Sequence, residues 1–86
     1  MKEKVEIKTE YWSNGNKSSE TPFVNGKEHG LANGWHENGN RMWETPFVNG
    51  KIHGLNMSWY KSGKKDQETP WKNNSEHGSK IWFKYQ

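Results

Sequence analysis

Three histidines recur at a spacing of 24 residues, and imidazole is both a metal ligand and a proton carrier near neutral pH. They are His29, His53 and His77, each followed by glycine. One shared zinc ion needs every nitrogen at about 2.0–2.1 Å, whereas residues two strands apart in a sheet are separated by roughly 10 Å. We therefore expect His-Gly to close a loop, with the imidazole bonded to nearby backbone or Glu. A binding edge built from these histidines is the alternative.

Paired carboxylates can act as general acid and general base, and three glutamates share the 24-residue spacing. Carboxylates about 10 Å apart along one line have no cleft between them. A basic residue precedes each glutamate by three positions, which instead predicts charge pairs on a strand surface. The pairs are Lys17 with Glu20, Arg41 with Glu44, and Lys65 with Glu68.

The chain has no arrangement typical of a catalytic nucleophile. It contains no cysteine and a single aspartate, Asp66, and its glycines stand singly instead of forming a phosphate-binding loop. The sequence therefore predicts a protein that is not an enzyme and that uses no metal or cofactor.

The recurring histidines and the basic–acidic pairs belong to a 24-residue unit that occurs three times in the sequence. Glu-Thr-Pro begins at residues 20, 44 and 68, and an aromatic residue precedes a turn glycine by four positions, as in Tyr11 and Gly15. A fixed period of this length indicates supersecondary units that stack on their neighbours. We expect one domain over residues 1–86, with repeats at approximately 11–34, 35–58 and 59–85.

The composition indicates a folded chain with a thin, aromatic core. Only eleven of the 86 residues are Leu, Ile, Val or Phe. The net charge of +3 is too small to hold the chain open, and six Trp, three Tyr and three Phe supply apolar area. The lack of cysteine excludes disulfides. No apolar run is typical of a signal peptide or a membrane span, so we expect a cytoplasmic protein.

Asn-Gly dipeptides predict hairpin turns, because both central residues of a type I′ turn need positive φ. We expect an all-β fold, a single antiparallel meander sheet of about seven strands built from three 24-residue hairpin repeats. Tight two-residue turns, the first at 14–15, would alternate with longer Asn-Gly-Lys-x-His-Gly links. Asn33-Gly34 lies inside a strand and indicates a bulge or a flat spot. The predicted strands cover residues 4–13, 16–24, 30–37, 40–48, 54–61, 64–72 and 78–85.

Alternation along the strands assigns side chains to faces. Leu31 and Trp35 share a parity, as do Trp43 and Phe47 on the next strand, and we expect these sets to form one aromatic face. Proline cannot donate to a ladder, so its return at 22, 46 and 70 predicts a bulge that bends each even strand. Repeated bends would twist or curl the sheet, so that the aromatic face folds partly onto itself.

The block from Trp43 to Gly54 resembles a MORN repeat, whose pattern is aromatic, Glu, Gly, x, aromatic, x, x, Gly, x, x, x, Gly. The aromatic-x-x-x-Gly segment from Trp59 to Gly63 fits as well. The spacing is also similar to that of bacterial MORN-variant proteins of the YwqK type, which carry an antitoxin label. The resemblance covers roughly residues 11–85. It implies a MORN-like β-hairpin repeat fold that serves as a protein-binding scaffold.

The candidate partner-binding residues are aromatic side chains on the face opposite the aromatic one, together with residues that differ between copies. Trp and Tyr are chosen because they are enriched in interface hot spots. We expect a small bacterial or phage protein that occludes another protein, either a toxin or, in the manner of an anti-CRISPR, a host defence enzyme. A rolled sheet or a homodimer is the alternative cover for these side chains. The candidates are Trp12, His36, Trp43, Tyr60 and Trp82.

A second class of function rests on lysines interleaved with aromatic residues near the C-terminus. Such a mixture binds single-stranded nucleic acid or another anionic surface through charge and stacking. Lysines that guard exposed strand edges against pairing are the structural alternative. The residues are Lys64, Lys65, Lys72, Lys80 and Lys84.

Overall fold

The computed structural model describes residues 3–76 and 81–82, which form strands and turns and contain no helix. The strands are β1 (Val5–Tyr11), β2 (Lys17–Val24), β3 (Lys27–Glu28), β4 (Gly30–Trp35), β5 (Arg41–Val48), β6 (Lys51–Ile52), β7 (Gly54–Trp59), β8 (Lys65–Lys72), β9 (Ser75–Glu76) and β10 (Ile81–Trp82). The eight-residue strands β2, β5 and β8 begin 24 residues apart and contain the Glu-Thr-Pro sequence.

The strands form one antiparallel sheet in the order β1-β2-β4-β5-β7-β8-β10. The short strands β3, β6 and β9 pair with the ends of β2, β5 and β8. Chain order is spatial order, so the connections are those of a meander, and the sheet does not close into a barrel. The Cα positions extend over 50 × 37 × 12 Å. The predicted all-β fold with a single antiparallel meander sheet is confirmed.

Two kinds of turn connect the strands, and the turn between β1 and β2 differs from the prediction. Between β2 and β3, Asn25 and Gly26 both have positive φ (51° and 83°), as a two-residue type I′ turn requires. Between β1 and β2, only Gly15 of the Asn-Gly pair is positive (91°), and its N–H donates to the Trp12 carbonyl at 3.0 Å. The prediction of a tight two-residue turn at 14–15 is wrong, because a longer loop with a left-handed glycine closes that hairpin.

Each eight-residue strand contains a bulge at the same position. A register shift between β1 and β2 leaves Ser18 without an opposite residue. Met42 in β5 and Asp66 in β8 likewise have no opposite residue in the neighbouring strand. An extra residue of this kind disrupts the ladder locally and increases the twist. The bulges lie four residues before each proline.

Pro22 and Pro46 lie inside continuous strands because the missing N–H of each faces an interruption in the neighbouring strand. The Pro22 carbonyl accepts from His29 N at 3.0 Å, and the Pro46 carbonyl accepts from His53 N at 3.0 Å. The N–H and C=O of a strand residue point to the same side, so the proline nitrogen faces the residue between β3 and β4. The prediction that proline bulges its own strand is wrong, because the register with β1 runs unbroken from residue 20 to residue 24.

Opposite residues in an antiparallel pair share a face, so the registers assign the side chains. Leu31 lies opposite Pro46, whereas Gly34 lies opposite Trp43. Positions 31 and 34 differ in parity and therefore point to different faces. The expected single aromatic face is wrong, since apolar residues are divided between two faces. We call one the proline face, after Pro22, Pro46 and Pro70, and the other the threonine face, after Thr21, Thr45 and Thr69.

Few residues of this single layer are buried. Among the described residues only Ala32, Gly34 and Thr69 are buried, and all three lie on the threonine face. A Cβ atom at Gly34 would lie 2.2 Å from Cε2 of Trp43, so the indole covers the glycine. This close approach of the ring explains why glycine is required inside β4. The prediction that one face folds onto itself is wrong for the described part of the chain, which forms an open layer.

Candidate functional site

The most exposed large apolar side chains of the described residues all lie on the proline face. Their exposed fractions range from 42% to 64%, which is unusual for a set of six residues on one side of a sheet. Their registers place them in rows with the prolines. The residues are Val5, Ile7, Tyr11, Leu31, Val48 and Leu55.

An apolar row crosses the middle of the proline face. In each pair of this row an aliphatic residue lies opposite a proline. The Pro22 and Pro46 carbonyls point away from the aliphatic residue, so these pairs are of the non-hydrogen-bonded kind, in which the Cα atoms approach to about 4.5 Å. The aliphatic side chains therefore pack beside pyrrolidine rings instead of being covered by a second layer. The pairs are Ile7 with Pro22, Leu31 with Pro46, and Leu55 with Pro70.

A second row on the proline face alternates aromatic and cationic side chains. The bulges shift the register so that each basic residue lies opposite an aromatic one, which pairs Tyr11 with Lys17, Trp35 with Arg41, and Trp59 with Lys65. The Lys17 ammonium is 5.8 Å from the ring centre of Trp35, and the Arg41 guanidinium is 5.2 Å from that of Trp59. These are cation–π distances, so the cations are held over the rings.

Glutamates between the two rows neutralise these cations. Lys17 Nζ lies 3.0 Å from Glu20 Oε2, and Lys65 Nζ lies 2.8 Å from Glu68 Oε2. The third predicted pair, Arg41 with Glu44, is looser at 4.0 Å. The hydrogen bond to Glu20, assisted by its charge, raises the pKa of the Lys17 ammonium above its ordinary value. The predicted strand-surface charge pairs are confirmed, and they leave the proline face apolar in its middle and nearly neutral in its charged row.

The recurring histidines close loops, as predicted. His29 Nδ1 accepts a hydrogen bond from Asn49 N at 3.2 Å, so the ring proton of its neutral form resides on Nε2. The glycines that follow, Gly30 and Gly54, have φ values of 111° and 124°. His77 lies outside the described residues. Within the described part of the chain, no three His, Cys, Asp or Glu side chains converge in a way that could hold a metal ion.

Two of the predicted partner-binding residues occupy equivalent positions and make equivalent hydrogen bonds within the sheet. Trp12 Nε1 donates to the Trp35 carbonyl at 2.9 Å, and His36 Nε2 lies 2.9 Å from the Trp59 carbonyl, to which it donates. Each bond reaches a residue 23 positions further along the chain. Tyr60 occupies the third equivalent position. The common spacing of 24 residues is the sequence signal that relates these unlike side chains.

The remaining candidates from the sequence are dispersed. Trp43 covers Gly34 on the threonine face. The side chain of Trp82 lies outside the described part of the structure, as do Lys80 and Lys84. Lys65 is paired with Glu68 on the proline face, and Lys72 lies at the opposite end of β8. The described lysines of the predicted nucleic-acid set therefore do not form one patch.

The exposed residues of the proline face were not among the sequence candidates. The sequence predicts Leu31 on the same aromatic face as Trp43, because alternation alone leaves the register between neighbouring strands one position off. Such a slip transfers a whole strand to the other face. Placing each leucine opposite a proline would have identified the row from the sequence.

No helix among the described residues is long and apolar enough to cross a membrane. The chain was compared with protein-family models, with curated proteins and with solved structures, and none of them matches it. The similarity to MORN repeats rests on the sequence pattern alone and stays a prediction.

Proposed function

We propose that this chain is a non-enzymatic protein-binding module whose proline face docks on a partner protein and occludes it. The observation that carries the proposal is the placement of all six exposed large apolar side chains on that one face. Exposed apolar area in such a set marks an interaction surface more often than a free surface. The sheet extends over 50 × 37 Å, so the proline face is large enough for the roughly 800 Å² per partner that a standard interface buries.

The chemistry of the face specifies the partner surface. The apolar row would bury against an apolar strip of the partner, and tryptophans held under cations would supply rigid contact area. Lys27 and Lys51 are exposed and lie beside Val24 and Val48 at one border of the face. The complementary partner surface is therefore apolar and edged by carboxylates that meet these two lysines.

The resemblance to MORN-variant proteins supports an antitoxin-like role or the role of a phage-encoded inhibitor of a host defence enzyme. Both roles need the same physical property, which is a preformed surface that covers the working surface of another protein. A preformed sheet loses little conformational entropy when it binds. Inhibition would then follow from occlusion, without a chemical step.

The experiment compares two double variants that add the same charge. Leu31→Glu/Leu55→Glu places two carboxylates in the apolar row, and Ser13→Glu/Ser62→Glu places them in exposed turns away from it. Each protein that the wild-type chain captures from bacterial extract is purified and titrated with all three chains by calorimetry. We expect the leucine variant to bind at least about tenfold more weakly, which corresponds to about 1.4 kcal/mol, and the serine variant to bind like the wild type.

Equal loss in both variants, or no loss in the leucine variant, would overturn the proposal. Titration with a single-stranded oligonucleotide tests the other class of function. Nucleic-acid binding loses affinity steeply between about 50 and 200 mM salt. Tight, salt-sensitive binding of the oligonucleotide with no effect of the leucine substitutions would favour that class.

A further inference from the structure

Strand β1 lies at one end of the sheet order and directs half of its backbone groups outward. Lys4 exchanges backbone and side-chain hydrogen bonds with Asn25, and Trp12 N donates to the Asn16 carbonyl at 2.7 Å. The backbone N–H and C=O groups of the even-numbered residues between Lys4 and Trp12 therefore point toward β2. Ile7 lies opposite Pro22, whose carbonyl points away from β1, which gives the same result. The N–H and C=O groups of the odd-numbered residues of β1 point away from the sheet.

The side chains of this edge alternate in a regular way. Val5 and Ile7 lie on the proline face and are each 64% exposed. The even-numbered residues, on the threonine face, alternate in sign as Glu6, Lys8 and Glu10, and all three are exposed. An unpaired edge is a template for another strand, and charged residues usually protect it. Here the alternation of sign favours the pairing that matches the largest number of opposite charges.

The edge is complementary to itself when two copies run antiparallel about Ile7. Ile7 then meets Ile7 of the second copy, and Glu6 meets Lys8. The next charged position continues the match, with Lys4 against Glu10. Residues with outward backbone groups meet each other in this register, so each such pair exchanges two hydrogen bonds. Opposite charges directly across a strand pair are favourable.

Neighbouring registers are excluded by charge. A slip of two residues in one direction places Glu6 against Glu6 and Lys4 against Lys8. A slip of two residues in the other direction places Lys8 against Lys8 and Glu6 against Glu10. A slip of one residue would pair outward backbone groups with inward ones. The Lys4–Glu6 contact of 3.4 Å within one chain is highly exposed and therefore offers little resistance to exchange.

We propose that the chain forms a twofold-symmetric homodimer by pairing β1 with β1 of a second copy about Ile7. The contact is isologous and closed, so it ends at two copies. The two sheets become one, and their proline faces lie on the same side of it. The inference does not depend on the proposed function, because it rests on the edge and not on the face.

Charge reversal tests the register directly. Glu6→Lys and Lys8→Glu each create like charges across the twofold axis, and both change exposed side chains of an edge strand. By sedimentation velocity at concentrations up to about 1 mM, we expect the wild type to form dimers and each single variant to be monomeric. An equimolar mixture of the two variants restores opposite charges and is expected to dimerise, as is the double variant Glu6→Lys/Lys8→Glu.

Two control variants separate loss of pairing from loss of folding. Lys61→Glu makes the same charge change as Lys8→Glu in an exposed turn, and this variant is expected to dimerise. Ile7→Pro removes an outward N–H and no bond to β2, so the variant is expected to be folded by circular dichroism and monomeric. A monomeric wild type, single variants that dimerise as well as the wild type, or a mixture that stays monomeric would each overturn the proposal.

Discussion

Trp43 and Gly34 form a contact that depends on the absence of a single carbon atom. The ring atoms Cε2 and Nε1 would both lie 2.2 Å from a Cβ at position 34. Gly34 does not have positive φ, so space and not backbone conformation requires glycine there. The equivalent positions in the other copies carry Glu10 with Ser19 and Ser58 with Gln67, which need no such space.

We expect Gly34→Ala to destabilise the fold by about 1–3 kcal/mol, because the indole must leave its place. In a Trp43→Ser background the same substitution has no ring to displace. It is then expected to be neutral or to stabilise by up to about 1 kcal/mol, through the reduced entropy of the unfolded chain. Urea unfolding of the four proteins of this cycle measures the coupling. An equal cost of Gly34→Ala in both backgrounds would show that the ring is not the cause.

At the level of elements, the turns are joined to each other by asparagine side chains. Asn14 and Asn16 donate to the Glu37 carbonyl at 2.9 and 2.8 Å, and Asn38 and Asn40 donate to the Lys61 carbonyl at 2.9 and 2.7 Å. These bonds stack successive hairpin turns along one side of the sheet. They give the asparagines of Asn-Gly-Asn a role beyond the formation of their own turns.

The position of proline in the central strands leads to a specific prediction about stability. Pro46→Ala supplies an N–H that faces the interruption at His53, so it gains no ladder bond. We expect a loss of about 0.4–1 kcal/mol, mainly because the unfolded chain becomes more flexible. Thr45→Pro is the matched control, because the N–H of Thr45 points toward Ala32 on β4, and it is expected to cost several times more. Urea unfolding in which the two substitutions cost the same would contradict this account.

The sequence was sufficient for the all-β class and the meander order of the sheet but not for register. Asn-Gly dipeptides mark four of the hairpin turns, with Ser62-Gly63 and Asn73-Asn74 at two later ones. Asn14-Gly15 and Asn25-Gly26 are nevertheless identical pairs that form different turns. The bulge at Ser18 follows the first of these turns and has no equivalent at the second, and one strand of a pair cannot reveal it on its own. Alternation alone leaves the register one position off and predicts Leu31 on the same face as Trp43. The exposed apolar row was therefore not predicted.

The whole molecule is a single layer, and this determines how it is stabilised. Only three described residues are buried, so burial in a conventional core contributes little. Cross-strand pairs, cation–π contacts and side-chain bonds between successive turns take its place. Each of these contributes roughly 0.2–1.5 kcal/mol. Stability therefore accumulates along the sheet and is not concentrated at one site.

A weak core predicts a small heat-capacity change on unfolding. At 12–15 cal/mol/K per residue, an ordinary 86-residue domain would have a ΔCp of about 1.0–1.3 kcal/mol/K. We expect less than about 0.8 kcal/mol/K for the dilute, monomeric chain, measured by calorimetry, because little apolar area leaves water on folding. A value in the ordinary range would mean that more apolar surface is covered in solution than the open sheet covers.

On the side of the sheet that carries the Asn-Gly-Asn turns, the hydrogen bonds between successive turns have a direction, since side chains of one unit donate and main-chain carbonyls of the next unit accept. Trp12, Asn14 and Asn16 are constrained by this contact, whereas Trp35 and Glu37 contribute only a carbonyl that any residue would provide. A unit can therefore be followed by a unit of quite different sequence. A chain of this kind can gain a 24-residue copy by duplication, and the new copy can change its outward side chains while the junction is preserved.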